Sequence, residues 1–295
     1  MAEAKIVTTQ PEAMKQPSQL AEFWARFKRN KTAVIGLIIL TFLVFIALFA
    51  PYIAPYDPYL SDMPNSLQPP SSQHLLGTDE LGRDILSRII YGAQISLKVG
   101  ILAVAIALAV GVVLGAVAGY YGGFIDNTIM RIMDIMLAFP SLLLAIAFMA
   151  ALGRGIENAI IAIGIVSTPH YARIVRGSVL SVKENEYIQA ARAIGASDLR
   201  IIFLHVLPNV VSPIVVRATL GVSTAILETA ALGFLGLGVQ PPFAEWGAML
   251  GSGRGYFYNA PHIVLYPGLA ITMTVLAFNL LGDGLRDVLD PRLKQ

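Results

Sequence analysis

Apolar residues gather into six long runs separated by polar, Gly- and Pro-rich segments. A helix crossing a hydrocarbon core about 30 Å thick needs roughly 20 mostly apolar residues. Residues 33–50, 95–119, 128–152, 159 to about 179, 210 to about 232 and 263–282 meet or approach that length. Pro169, His170 and Arg173 interrupt the fourth run, and Pro213, Arg217 and Glu228 the fifth. Such residues are tolerated inside a membrane where they face protein or water. The pattern predicts an all-α, polytopic membrane protein with six transmembrane helices.

The polar segments predict smaller features. The first 20 or so residues show no apolar period and are expected to be disordered. About 30 polar residues precede the first run, so it is expected to act as a span and not as a cleaved signal peptide. The segment after it starts Pro-rich and ends HLLGTDELGRDILSRIIYGAQISLKVG. Thr78 is a candidate N-cap, with Asp79 and Glu80 in a first turn that favours acids. Leu81, Ile85 and Ile89 then share a face, which predicts a short interfacial helix leading into the second span. In that span Gly111, Gly115 and Gly119 line one side, so that another backbone can approach closely; packing within the chain is favoured over a dimer face. Beyond the fifth span lies ALGFLGLGVQPPFAEWGAML, where the glycines and Pro241-Pro242 end the helix. Trp246 and Met249 suit a membrane interface.

Composition supports the membrane reading and narrows the chemistry. Hydrophobic residues make up 56% and charged residues 14%, against about 25% charged in a soluble domain. The net charge of +2 calls for no nucleic-acid partner, because membrane proteins concentrate Lys and Arg in cytoplasmic loops. One topology places Lys5, Lys15, Arg26, Lys28, Arg29, Lys31, Arg131, Arg173, Arg176, Lys183, Arg192, Arg200, Arg286, Arg292 and Lys294 inside. It leaves Arg83, Arg88, Arg154 and Arg254 outside. Both termini are therefore expected in the cytoplasm. With no cysteine, disulfides, thiolate metal sites and cysteine nucleophiles are excluded, and the four scattered histidines make no H-x-x-x-H pair. There is no phosphate-binding G-x-x-x-x-G-K-[ST] loop, no G-x-S-x-G and no convincing acid–base pair. No catalytic residue, cofactor or metal is expected in this chain, and any ATP would be handled by another polypeptide.

Charges inside spans are expensive and suggest function. Arg217 and Glu228 lie eleven residues apart, on nearly one helix face and about 16 Å apart along the axis. Both are candidates to line a water-filled substrate pathway. Snorkelling toward the membrane surface is the alternative, more apt for Arg217 than for Glu228.

The stretch EYIQAARAIGASDLRIIFLHVLPN, between the fourth and fifth spans, is cytoplasmic on this topology. Asn185 can cap a helix that Glu186 opens and Gly195 stops. Tyr187, Ile188, Ala191 and Ile194 form a narrow apolar face suited to a groove on another protein. Leu199, Ile201, Ile202, Phe203 and Leu207 would tie the adjoining segment to the membrane domain. The residues alone leave an ordinary structured loop and a docking helix both open.

That stretch resembles the coupling-loop signature of ABC importer permeases: E-A-A, three residues, G, nine residues, I-x-L-P. Ala190, Ala191, Gly195, Leu207 and Pro208 match in register. Gln189 stands where the signature has Glu, and His205 where it has Ile. The blocks HLLGTDELGRDILSRIIYGAQISLKVG, MRIMDIMLAFPSLLLAIAF, LGFLGLGVQPPFAEWGAML and GDGLRDVLDPRLK are similar to the dipeptide/oligopeptide/nickel permease family, in its second, C-type subunit. The resemblance implies a type I importer permease fold in a prokaryotic inner membrane. It divides the chain into a tail (1–31), a first span with an extracytoplasmic segment (32–94), and a permease core (95–295) holding a coupling loop at 180–208. It also implies a homologous second permease, two ATP-binding subunits carrying ATP and Mg, an extracytoplasmic binding protein, and surrounding membrane lipid. Gln189, Ala190, Ala191, Gly195, Leu207 and Pro208 become the expected ATPase-coupling element, and the function an ATP-driven importer of di- or oligopeptides. Nickel chelates, glutathione and oligosaccharides are alternative substrates. A self-sufficient secondary transporter is the rival class, but it expects inverted repeats and broken helices with midplane ion ligands, and no convincing repeat links the halves.

Overall fold

The computed structural model describes residues 19–289; the polar segment at 1–18 and the last six residues lie outside the described part. Among the described residues there are twelve α-helices and no strand. A short α1 (Gln19–Arg29) leads into the first long helix, α2 (Lys31–Leu48), whose first turn is capped by the Asn30 side chain accepting from the Ala33 amide. A one-turn α3 (Ala50–Ile53) follows.

After a loop comes α4 (Ile85–Tyr121), 37 residues long, or about 55 Å at 1.5 Å per residue. It is therefore longer than a hydrocarbon core is thick. Next are α5 (Gly123–Leu137) and α6 (Ser141–Leu152), then α7 (Ile156–Val182). Two short helices, α8 (Glu186–Ala193) and α9 (Asp198–Ile201), precede the long α10 (Val211–Phe234). A short α11 (Trp246–Gly253) and the final α12 (His262–Leu289) complete the fold.

Four segments are long and apolar enough to span a membrane: α2, α4, the continuous run from α9 through α10, and α12. The pair α5–α6 makes a fifth if it counts as one span. The sequence predicts one straight helix there, but the pair bends by 94° at the residues before Ser141. Pro140 explains the break, since proline disfavours helical geometry in the residue before it. The sixth expected span falls on α7, long enough at 27 residues but not among the segments apolar enough to span, since it carries His170, Arg173 and Arg176; four or five of the six expected spans are therefore found among the described residues.

Close packing of α4 on α7 forms the centre. A Cβ added to Gly111 would lie 2.6 Å from the Tyr171 Cβ, and one on Gly115 only 2.4 Å from the Ala172 carbonyl oxygen. The glycine stripe therefore serves packing within the chain. The second close approach joins α2 to α12, where a Cβ on Gly284 would lie 2.2 Å from that of Ala33.

The interfacial helix expected from Thr78 is absent. Thr78 pairs with Asp84 as an isolated antiparallel bridge, and its hydroxyl donates to the Asn65 carbonyl while accepting from the Gln68 amide. The cap is instead Asp84, whose carboxylate accepts from the Ser87 amide at 2.8 Å, so one unbroken helix starts at Ile85. The turn is fixed by Asp79, which accepts from the Leu81 and Arg83 amides and pairs with the Arg83 guanidinium at 2.7 Å.

Candidate functional site

The segment at 184–209 folds as its punctuation predicts. Asn185 has the extended backbone of an N-cap, though its side chain makes no cap bond, and α8 runs from Glu186 to Ala193. Gly195 comes next but one, at φ +83°, a left-handed conformation that favours glycine. The faces of α8 are arranged differently from the sequence expectation. Ile188 and Ala191 are buried in the chain's own core with Val175, Val179, Ile201, Ile202 and Val206. Tyr187 and Ile194 point outward, Ile194 at 85% exposure. The predicted docking face is thus split, half of it holding α8 onto its own chain. Gln189, Ala190 and Gly195 are exposed, as is Pro208, while Leu207 is half-buried. Beyond α8, Ile201 and Ile202 anchor the segment as expected; Leu199 and Phe203 do not, being 65% and 60% exposed.

A hydrogen-bonded tether joins α8 and α9 to the end of α4. The Tyr120 hydroxyl donates to the Asp198 carboxylate at 2.7 Å, and the Arg192 guanidinium lies 3.4 Å from that hydroxyl and 5.6 Å from the ring centroid. Lys183 donates to the Gly119 carbonyl at 3.0 Å. Beside this tether lies a cleft of about 540 Å³ lined by Tyr120, Lys183, Glu184, Gln189, Arg192 and Ala193. These contacts join α8 and α9 to the end of α4.

Two ion pairs that spacing did not reveal fasten α5 to α7. Arg176 grips Asp126 with both its Nε and a terminal nitrogen, the latter at 2.6 Å, and Arg173 meets Asp134 at 2.6 Å. The candidate pathway residues both lie on α10. Glu228 is buried, with one carboxylate oxygen lacking a partner. Arg217 stands over the Tyr171 ring at 5.8 Å, and its Nε has no partner. The two side chains do not meet.

Sequence reasoning also missed Glu245. It is almost completely buried, capping α11 by accepting from the Gly247 and Ala248 amides, both at 2.8 Å. Burial pushes its carboxyl up to about 7, against the opposing pull of those two amides and Ser96. The recognisable signal was an acid directly before a helix-forming run. Its neighbour Trp246 is not at an interface: it is buried, donating to the Ile89 carbonyl at 3.1 Å.

Long apolar helices, with the short, half-exposed α8 between α7 and α10 in chain order, form a fold that is also found in ABC transporters. Known structures agree on the fold: a chain of the MetNI methionine ABC transporter in an inward-facing conformation superposes with a TM-score of 0.57 at 22% identity, over 69% of this chain and 97% of that one. An amino acid ABC transporter matches at 0.53, with 16% identity over 68% and 94%. The chain belongs to the binding-protein-dependent transport system inner membrane component family, whose model matches residues 111–295. Residues 18–70 match the N-terminal TM domain of oligopeptide transport permease C. A dipeptide transport system permease protein of Alkalihalophilus pseudofirmus is 54% identical over 92% of this chain and 90% of its own length. A di/tripeptide transport system permease protein of Pseudomonas aeruginosa is 53% identical over 94% of both. A glutathione transport system permease protein of Escherichia coli is 53% identical over 92% and 90%. The chain is thus a multi-pass inner-membrane permease subunit of an ABC importer, a family that works with ATPase and permease partners.

Proposed function

We propose that this subunit imports di- or oligopeptides, driven by ATP bound with Mg on two partner subunits. A homologous second permease completes the pathway, and an extracytoplasmic binding protein delivers the peptide. Both termini and α8 face the cytoplasm, in accord with the distribution of Lys and Arg. The carrying observation is the exposed surface of α8, tied through Tyr120 to the end of α4. Gln189, Ala190 and Gly195 form the part of the coupling element that touches the ATPase. Ala191 and Leu207 hold the element to the membrane helices, with Pro208 at its exit. ATPase closure pushes α8, and the push passes to α4 and the helices packed on it, turning the pathway outward. Of the two pathway candidates on α10, Glu228 is supported by its buried, partly unpartnered carboxylate; Arg217 is the weaker, facing Tyr171.

Peptide as the substrate rests on the two relatives named for peptide transport. The glutathione permease of equal identity favours a second reading, in which a modified tripeptide is carried. Reconstitution of the assembled transporter in vesicles with ATP inside tests both. Uptake of labelled dipeptide, resisted by excess unlabelled dipeptide and not by glutathione, is the expected result; uptake of glutathione alone would overturn it.

A further inference from the structure

Arg217 and Arg286 share a cavity of about 420 Å³ between α7, α10 and the end of α12. Its wall is mostly apolar, with Val216 and Leu220 on one side, while Asn209 and Ser212 add polar atoms at the α10 end. The arginines Arg83, Arg88, Arg173 and Arg176 each lie within ion-pair distance of a carboxylate. Among the described residues neither Arg217 nor Arg286 does, and the Arg217 Nε is buried without a hydrogen-bond partner. Two guanidiniums lining one cavity, one of them with a buried, unpartnered Nε and the other exposed, favour an anion, and their planar donors match phosphate geometry.

We propose that this cavity binds an anionic phospholipid, with its phosphate between Arg217 and Arg286 and an acyl chain along Val216 and Leu220. Charge complementarity selects a phosphate, and the apolar wall selects a lipid over a free ion, which would gain nothing from it. Basic pockets between transmembrane helices are a recognised form of headgroup site. The cavity lies at the start of α10, next to the segment that carries α8, and at the end of α12, so the proposed orientation puts the lipid in the cytoplasmic leaflet. A lipid there would wedge α10 against α12 next to the coupling segment and bias the movement of α10.

Native mass spectrometry of the full chain with its partners, stripped of lipid and titrated with phosphatidylglycerol, phosphatidylcholine or inorganic phosphate, tests the site. The readout is binding, so it stands or falls separately from peptide transport. Phosphatidylglycerol is expected to be retained, phosphatidylcholine less so and phosphate not at all. The double substitution Arg217→Gln with Arg286→Gln should lower phosphatidylglycerol retention by about ten-fold, while Arg→Lys at both positions, which keeps the charge and loses the planar donors, should give an intermediate loss. If the double variant does not assemble, Arg286→Gln alone, near the end of α12, should still lower retention several-fold. Undiminished retention in the glutamine variants would overturn the proposal. So would inorganic phosphate displacing the lipid at equal concentration, or a dipeptide competing for the cavity.

Discussion

The Tyr120 hydroxyl donates to the Asp198 carboxylate across 2.7 Å, joining the last turn of α4 to the start of α9. Among the described residues it is the shortest side-chain link between the segment at 184–209 and α4. A single hydrogen bond of this kind contributes about 1 kcal/mol. Tyr120→Phe, which keeps the ring beneath Arg192, should therefore leave the assembled complex intact and lower peptide uptake per ATP hydrolysed by roughly five-fold. An unchanged uptake-to-hydrolysis ratio would show that the tether does not carry the motion.

The split faces of α8 predict different failures for neighbouring alanines. Ala190 is exposed and Ala191 is 8% exposed among Val175, Val179 and Ile201. Ala190→Glu should fold normally and release the ATP-binding subunits. Ala191→Glu should bury an unpaired charge, which is strongly destabilising, and reduce the amount of folded chain. Yield and thermal midpoint of each variant, with recovery of the ATPase, separate the two.

The glycine stripe predicts a packing defect. Because a Cβ at Gly115 meets the Ala172 carbonyl oxygen at 2.4 Å and the Val175 Cβ at 2.8 Å, Gly115→Ala must push α4 and α7 apart. Overpacking of this kind destabilises by about 1–3 kcal/mol. A thermal midpoint equal to the wild type would contradict the contact.

The Asp126–Arg176 pair is partly exposed, so solvent screening moderates it. Asp126→Asn should destabilise by about 1–2 kcal/mol, measured by thermal unfolding in nanodiscs. The exchange Asp126→Arg with Arg176→Asp should recover part of the loss, and failure of any recovery would assign the effect to packing.

Glu245 gives a pH dependence with a definite sign. Its carboxyl is raised from 4.5 to about 7 in the folded chain, so the protonated form is the one that folding favours. Stability from this group is fully present below pH 4.5 and lost as pH rises through 7, by about 3 kcal/mol in all. The thermal midpoint of the complex should fall between pH 5 and pH 8, and Glu245→Gln should flatten that slope. The same slope in the variant would place the effect elsewhere.

Legibility in the sequence depended on how local each signal is. Asn185 and Gly195 bound α8 because cap and stop are local events, and the glycine stripe was legible because its period lies in one helix. Which side of α8 faces a partner was not legible, since Ile188 and Ile194 look alike in so short a helix and only tertiary packing buries one of them. Thr78 and Asp84 are both good cap residues; the contacts of Thr78 with Asn65 and Gln68 decided between them. Asp126 and Arg176 are fifty residues apart, and no spacing rule connects them. The 94° bend at Pro140 was signalled by the proline itself, but within an otherwise apolar run it read as one span.

The docking of α8 on an ATP-binding subunit is tested most directly by cross-linking, made simple because the chain has no cysteine. Single cysteines at Ala190 and at Ala191 would be introduced into the assembled transporter, and a short thiol-to-amine cross-linker applied with and without ATP. The predicted result is a product with the ATP-binding subunit from Ala190→Cys, altered by ATP, and none from Ala191→Cys. No product from Ala190→Cys in a complex that retains its ATPase, or equal products from both positions, would contradict it.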